Sequence, residues 1–143
     1  METYEGGGHA YHATMPTDAL TTFRDVVFEA KKLGFDTLKA QQIELGRRVR
    51  EVLTTNGFPS VAADGFHAPG VVVCYTDDAG IKSGRKFMEA GIQIAGGVPL
   101  ACDEPETFQT FRIGLFGLDK LQNIDRTVEH FEAAVKQIAS SQA

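Results

Sequence analysis

One stretch constrains this chain more than any other: Gly70-Val71-Val72-Val73-Cys74-Tyr75-Thr76. A β-branched run without helical periodicity, closed off by turn-forming residues, suits a strand buried on both faces. A strand of that kind needs partners, and the candidates are short. Thr110-Phe111-Arg112-Ile113-Gly114 has the same character, Gly91-Ile92-Gln93-Ile94 is a further extended piece, and Phe58-Pro59-Ser60-Val61 is a weak one.

The rest of the chain has helical periodicity. Thr17 is placed to cap a helix whose face is Leu20, Phe23, Val27 and Ala30, with Gly34 as its stop. Asp36 is placed to cap a second, with Leu38, Leu45, Val49 and Val52 on one side and Asn56-Gly57 at the end. Ile81 to Ala90 forms a short helix with Phe87 and Met88 on its apolar side. Asp119 and Gln122 have capping-box spacing, and Ile124, Val128, Phe131, Val135 and Ile138 make the stripe of the last helix. The order helix, helix, strand, strand, helix, strand, strand, helix implies an α+β fold. The expected form is a two-layer sandwich in which a small three- to four-stranded sheet carries helices on one face.

Residues 1–16, with Gly6-Gly7-Gly8 at their centre, have no periodic apolar pattern and form a lead-in loop; residues 17–143 form one domain. Within 143 residues, 14 Lys and Arg stand against 19 Asp and Glu, so the net charge of −5 disfavours a nucleic-acid partner. The basic cluster Arg47-Arg48-x-Arg50 lies beside Glu44 and Glu51, which implies a solvated, ion-paired face. Two cysteines are too few for a disulfide framework; Cys74 in its apolar run behaves as a small hydrophobe, and a reducing, cytoplasmic setting is expected. No apolar stretch is long enough to span a membrane, and no signal-peptide pattern opens the chain.

Few residues carry chemistry. Arg112 is planted between Phe111 and Ile113, so it points to the opposite face of its strand. Its planar fork suits a carboxylate, either a ligand's or one of the chain's own Asp and Glu side chains. Tyr11-His12-Ala13-Thr14 concentrates donors just before a helix start, which is either an anion site or a capping turn. His9 and His12 lack the further ligands a metal needs, and His67 and His130 stand alone. Cys102, beside Asp103 and Glu104, is poorly placed to be a nucleophile.

Tyr11-His12-x-Thr14-x-Pro16, Gly91-Ile92-Gln93-Ile94-Ala95-Gly96-Gly97 and Phe111-Arg112-Ile113-Gly114-Leu115-Phe116-Gly117, in this order, resemble the C-terminal part of class V aminotransferases. Close relatives within that family are the alanine–glyoxylate and serine–pyruvate aminotransferases, which bind pyridoxal 5'-phosphate (PLP) on fold type I. The resemblance runs from about Tyr11 to Ala139. It implies that Tyr11 and Thr14 reach across a homodimer to the cofactor phosphate of the other subunit, and that Arg112 holds the substrate carboxylate. Ala13 departs from the pattern, where many relatives carry a second histidine.

A larger departure concerns the cofactor. The family's chemistry needs a lysine bound to PLP, an acidic partner for the pyridine nitrogen and an aromatic residue stacked on the ring. The lysines here are Lys31, Lys32, Lys39, Lys82, Lys86, Lys120 and Lys136. None falls in the matching segment, which in the family lies upstream of Tyr11. The expectation is the small domain of an enzyme moving an amino group between an amino acid and a 2-oxo acid, with no catalytic residue of its own and no activity alone. The alternatives are a free-standing α+β domain that captures an amino or oxo acid through Arg112, and a lyase or desulfurase on the same fold.

Overall fold

The computed structural model describes residues 2–9 and 14–140. The fold is mixed α+β with a small antiparallel sheet, and the chain divides into two compact units, Met1–Phe35 and Asp36–Ala143.

The first unit holds α1 (Glu2–Glu5), a single turn closed by the Gly6 N–H on the Glu2 carbonyl, and α2 (Thr17–Leu33). Pro16, not Thr17, occupies the capping position of α2, and no side chain caps it. Thr17 lies inside the helix, where its carbonyl accepts from the Thr21 hydroxyl at 2.9 Å. The apolar stripe is present, yet no residue of α2 is buried, and Leu20, Phe23 and Val27 are exposed.

The second unit is built on α3 (Phe35–Thr55), whose buried side is Leu38, Leu45, Gly46, Val49, Arg50 and Leu53. Asp36 falls in its first turn instead of capping it, and Leu53 takes the buried place expected of Val52. Three strands follow: β1 (Val71–Tyr75), β2 (Ala95–Gly96) and β3 (Thr110–Gly114), in the spatial order β1-β3-β2, all antiparallel. Val72 faces Ile113 and Cys74 faces Phe111 across the ladder. Those four residues are buried on one face.

The helices cover that face. Between the β1 and β2 segments lie α4 (Ala79–Lys82) and α5 (Arg85–Glu89), and after β3 come α6 (Leu118–Gln122) and α7 (Ile124–Ser140). Phe111 meets Phe58 and Phe87 at ring-centroid distances of 5.5 and 5.4 Å, and Phe87 meets Phe131 of α7 at 6.4 Å. The α7 stripe is buried at Val128, Phe131, Ala134, Val135 and Ile138.

Several expected elements take another form. The Phe58–Val61 segment reduces to one bridge, Ser60 to Cys74, because Pro59 has no N–H with which to extend a ladder. The helix expected over 81–90 breaks at Gly84, which sits at φ 78° and ends α4 before α5 begins. Gly91 and Ile92 spend their N–H groups on the Met88 and Phe87 carbonyls, so extended pairing starts only at Ala95. No capping box forms at Asp119, whose carboxylate accepts from Asn123 at 3.1 Å and Arg126 at 2.7 Å. No described helix is long and apolar enough to cross a membrane.

Candidate functional site

Arg112 stands at the centre of the sheet, opposite Val73 on β1 and Ala95 on β2. Side chains alternate along a strand, so with Phe111 and Ile113 in the core its guanidinium lies on the other face. Nε donates to the Gly96 carbonyl at 2.9 Å, in a partly buried setting. Among the described residues no carboxylate lies within 4.0 Å of Arg112, and Nε to Gly96 is the hydrogen bond its side chain makes. One edge of the fork is therefore fixed by the main chain while its end nitrogens keep their donors. This arrangement can take up a carboxylate or another oxyanion.

Next to it on the same face, Thr110 is only 3% exposed. Its carbonyl accepts from the Gly97 N–H at 2.9 Å, and both residues line a cavity of about 520 Å³ with Lys82, Asp103, Glu104 and Glu106. Glu104 organises that loop: its carboxylate accepts from the N–H groups of Leu100, Ala101 and Cys102 at 2.6, 3.0 and 2.8 Å. These amides, Cys102 first, hold its carboxyl down at about 2. Among the described residues no cluster of His, Cys, Asp and Glu could hold a metal ion.

Of the other residues singled out above, Tyr11 lies outside the described residues, as does His12. Thr14 is exposed, ahead of α2, and belongs to the first unit. Arg112 belongs to the second. Cys74 is fully buried, and burial pushes its thiol up to about 12, with Arg50 opposing. Cys102 is exposed. His67 is 3.8 Å from Asp64.

The basic cluster divides. Arg47 reaches Glu44 and Glu51 at 2.8 and 3.0 Å, and Arg48 pairs with Asp125, as an ion-paired face requires. Arg50 does not belong to that face. It is 8% exposed, and it donates to the Gly46 and Ala68 carbonyls at 3.5 and 3.3 Å with no carboxylate partner among the described residues. The signal was in the spacing: Gln42, Gly46 and Arg50 recur every four residues, and that row grips the segment Ala68-Pro69. The Gln42 amide donates to the Pro69 carbonyl at 2.9 Å, and a Cβ on Gly46 would come within 2.5 Å of the same oxygen.

No model of a known protein family matches the chain, and no curated protein matches it at a significant level of similarity.

Proposed function

We propose that this chain is the C-terminal domain of a PLP-dependent, class V aminotransferase of the cytoplasm, and that Arg112 holds the carboxylate of its amino-acid and 2-oxo-acid substrates. One observation carries the reading: a guanidinium in the middle of a strand, oriented by the Gly96 carbonyl and without a carboxylate from its own described residues. Burying part of an arginine without a counter-ion costs stability unless a ligand supplies one. A planar carboxylate meets the two end nitrogens bidentately, and the Gly96 tether keeps their plane from rotating as one substrate replaces the other.

The chain's residues fit the substrate end of the reaction and not the reactive end of the cofactor. PLP supplies the electron sink for amino transfer and needs a lysine to hold it. Lys31 and Lys32 lie on α2, Lys39 on α3, and Lys86 is engaged by Asp78 at 2.6 Å. Lys82 ends α4, Lys120 donates to the Phe116 carbonyl at 2.8 Å, and Lys136 pairs with Glu132 at 2.7 Å. In this reading the lysine comes from a preceding large domain, the partner subunit's phosphate site is completed by Tyr11 and Thr14, and the 143-residue chain transfers no amino group by itself.

The test begins with the intact mass of the native product that carries this segment. In a larger product, Arg112→Met is expected to lower kcat/KM for alanine and glyoxylate by about 30- to 5,000-fold, the cost of leaving one partner of a buried charge pair alone. An unchanged kcat/KM refutes the role. A product no larger than this chain that binds pyruvate saturably, and loses it in Arg112→Met, points instead to a free-standing amino- or oxo-acid-binding domain.

A further inference from the structure

Two buried side-chain polar atoms in the described structure have no hydrogen-bond partner: Arg50 Nε and Ser60 Oγ. They come from different elements, α3 and the segment that bridges to β1, yet both residues line one cavity of about 580 Å³. His67, Arg47 and Thr54 share its wall. We propose that Arg50, Ser60 and His67 form an anion site for a phosphate group, separate from Arg112 and independent of the function assigned to it.

The donor inventory leads there. Nearly every buried polar group in a folded protein finds a partner, so two orphans on residues that line one cavity need an explanation. Arg50 carries a full charge that its own neighbours do not neutralise, since the partners it has are main-chain carbonyls at long range. Burial already lowers its pKa, the direction expected of a cation without a counter-ion. Cys74, fully buried behind it, stays a thiol at neutral pH and adds no charge. Thr54 is occupied, its hydroxyl donating to the Arg50 and Glu51 carbonyls at 3.0 and 3.2 Å.

The cavity also carries two carboxylates, and neither serves Arg50. Glu51 is engaged by Arg47, and the fully exposed carboxylate of Asp64 lies 3.8 Å from the His67 imidazole. The guanidinium of α3, the Ser60 hydroxyl and the His67 imidazole come to this cavity from three segments of the chain. Three or four oxygens arranged as a tetrahedron can meet all of them, whereas the two oxygens of a carboxylate are used up on the guanidinium alone. The ligand class is therefore phosphate, free or as the monoester of a small molecule.

The experiment is a titration of the 15N-labelled chain with inorganic phosphate and, separately, glycerol 3-phosphate, at constant ionic strength so that screening is held fixed. Saturable shifts of the Arg50 Nε–H and Ser60 amide resonances are expected, with a midpoint on the order of 1–10 mM. The tighter of the two ligands identifies the source of the phosphate. Ser60→Ala and His67→Gln are each expected to weaken binding by about tenfold, the scale of one lost charge-assisted hydrogen bond, and Arg50→Met to abolish it. Should Arg50→Met fail to fold, the other two variants decide. Shifts that do not saturate, that centre on Arg47 and Arg48, that acetate reproduces at equal concentration, or that survive Ser60→Ala and His67→Gln unchanged overturn the proposal.

Discussion

Phe87 and Met88 are neighbours on α5, and the two make a sharp test of how that short helix is turned. Phe87 is 0% exposed and its ring lies between Phe111 of the sheet and Phe131 of α7, while Met88 is 67% exposed. Truncating Phe87 to alanine removes the transfer energy of a whole ring and leaves a cavity that the sheet and α7 can close only in part. The expected cost is about 3–5 kcal/mol, including two ring contacts of about 0.5–1.5 kcal/mol each. A domain of this size has about 5–15 kcal/mol in all, so the loss takes a large share of it. The melting temperature should fall by on the order of 10–20 °C. Met88→Ala should change stability by no more than about 0.5 kcal/mol. Urea unfolding followed by circular dichroism measures both, and an unchanged m value for Phe87→Ala shows that the comparison is between like states. A cost below about 1 kcal/mol for Phe87→Ala, or equal costs for the two variants, would refute the packing described here.

The remaining predictions concern thiols and acid. A thiol reagent should modify Cys102 promptly and Cys74 only after denaturation, because Cys74 is buried with its thiol pushed up to about 12; two prompt equivalents would contradict this. Asp78 caps α4 by accepting from Gly80 and Ile81 at 2.7 and 3.0 Å, and it pairs with Lys86 at 2.6 Å. Lys86 first, then those amides, hold its carboxyl down at about 2, below the ordinary 3.8. A depressed carboxyl stabilises the fold above its unfolded value and ceases to do so as pH falls through its folded one. Asp78→Asn should therefore cost about 1–2 kcal/mol at pH 7, and the difference from the parent should vanish between about pH 4 and pH 2. A difference that persists below pH 2 would mean that the cost is steric.

What could be read from the sequence followed from local chemistry. Val71–Tyr75 and Thr110–Gly114 were legible as strands because β-branched runs between turn residues have few other options, although β1 buries Val72 and Cys74 on one face and not both faces as expected. The α7 stripe was legible because Val128, Phe131, Val135 and Ile138 repeat at helical spacing. Gly91–Ile94 is not a strand because the Gly91 and Ile92 amides are taken by α5 carbonyls, which no periodicity reports. Phe87 and Met88 share the apolar side expected of one helix over 81–90, whereas the helix restarts at Arg85 after Gly84 and buries Phe87 alone. Arg112 stood out as a lone arginine in an apolar strand, but its Gly96 tether depends on the register of two distant segments. Arg50 is not distinguishable by its charge in the sequence from its neighbours in Arg47-Arg48-x-Arg50, and only the approach of Ala68-Pro69 separates it from Arg47 and Arg48.

The tether at Arg112 also bears on how this chain can vary. Its acceptor is a main-chain oxygen, so no residue type at position 96 is required to supply it, and the aim of the guanidinium is encoded in the pairing of β2 with β3. Point changes in the loop between Gly97 and Gln109 alter the walls of the neighbouring cavity without redirecting the fork, and the loop can lengthen at little entropic cost. A one-residue slip of β2 against β3 offers Arg112 a different carbonyl and turns each side chain of β2 to the opposite face. Two chains could thus share this guanidinium fork while matching poorly along the loop beside it, and a slip in register would abolish its aim in a chain whose composition had not changed at all.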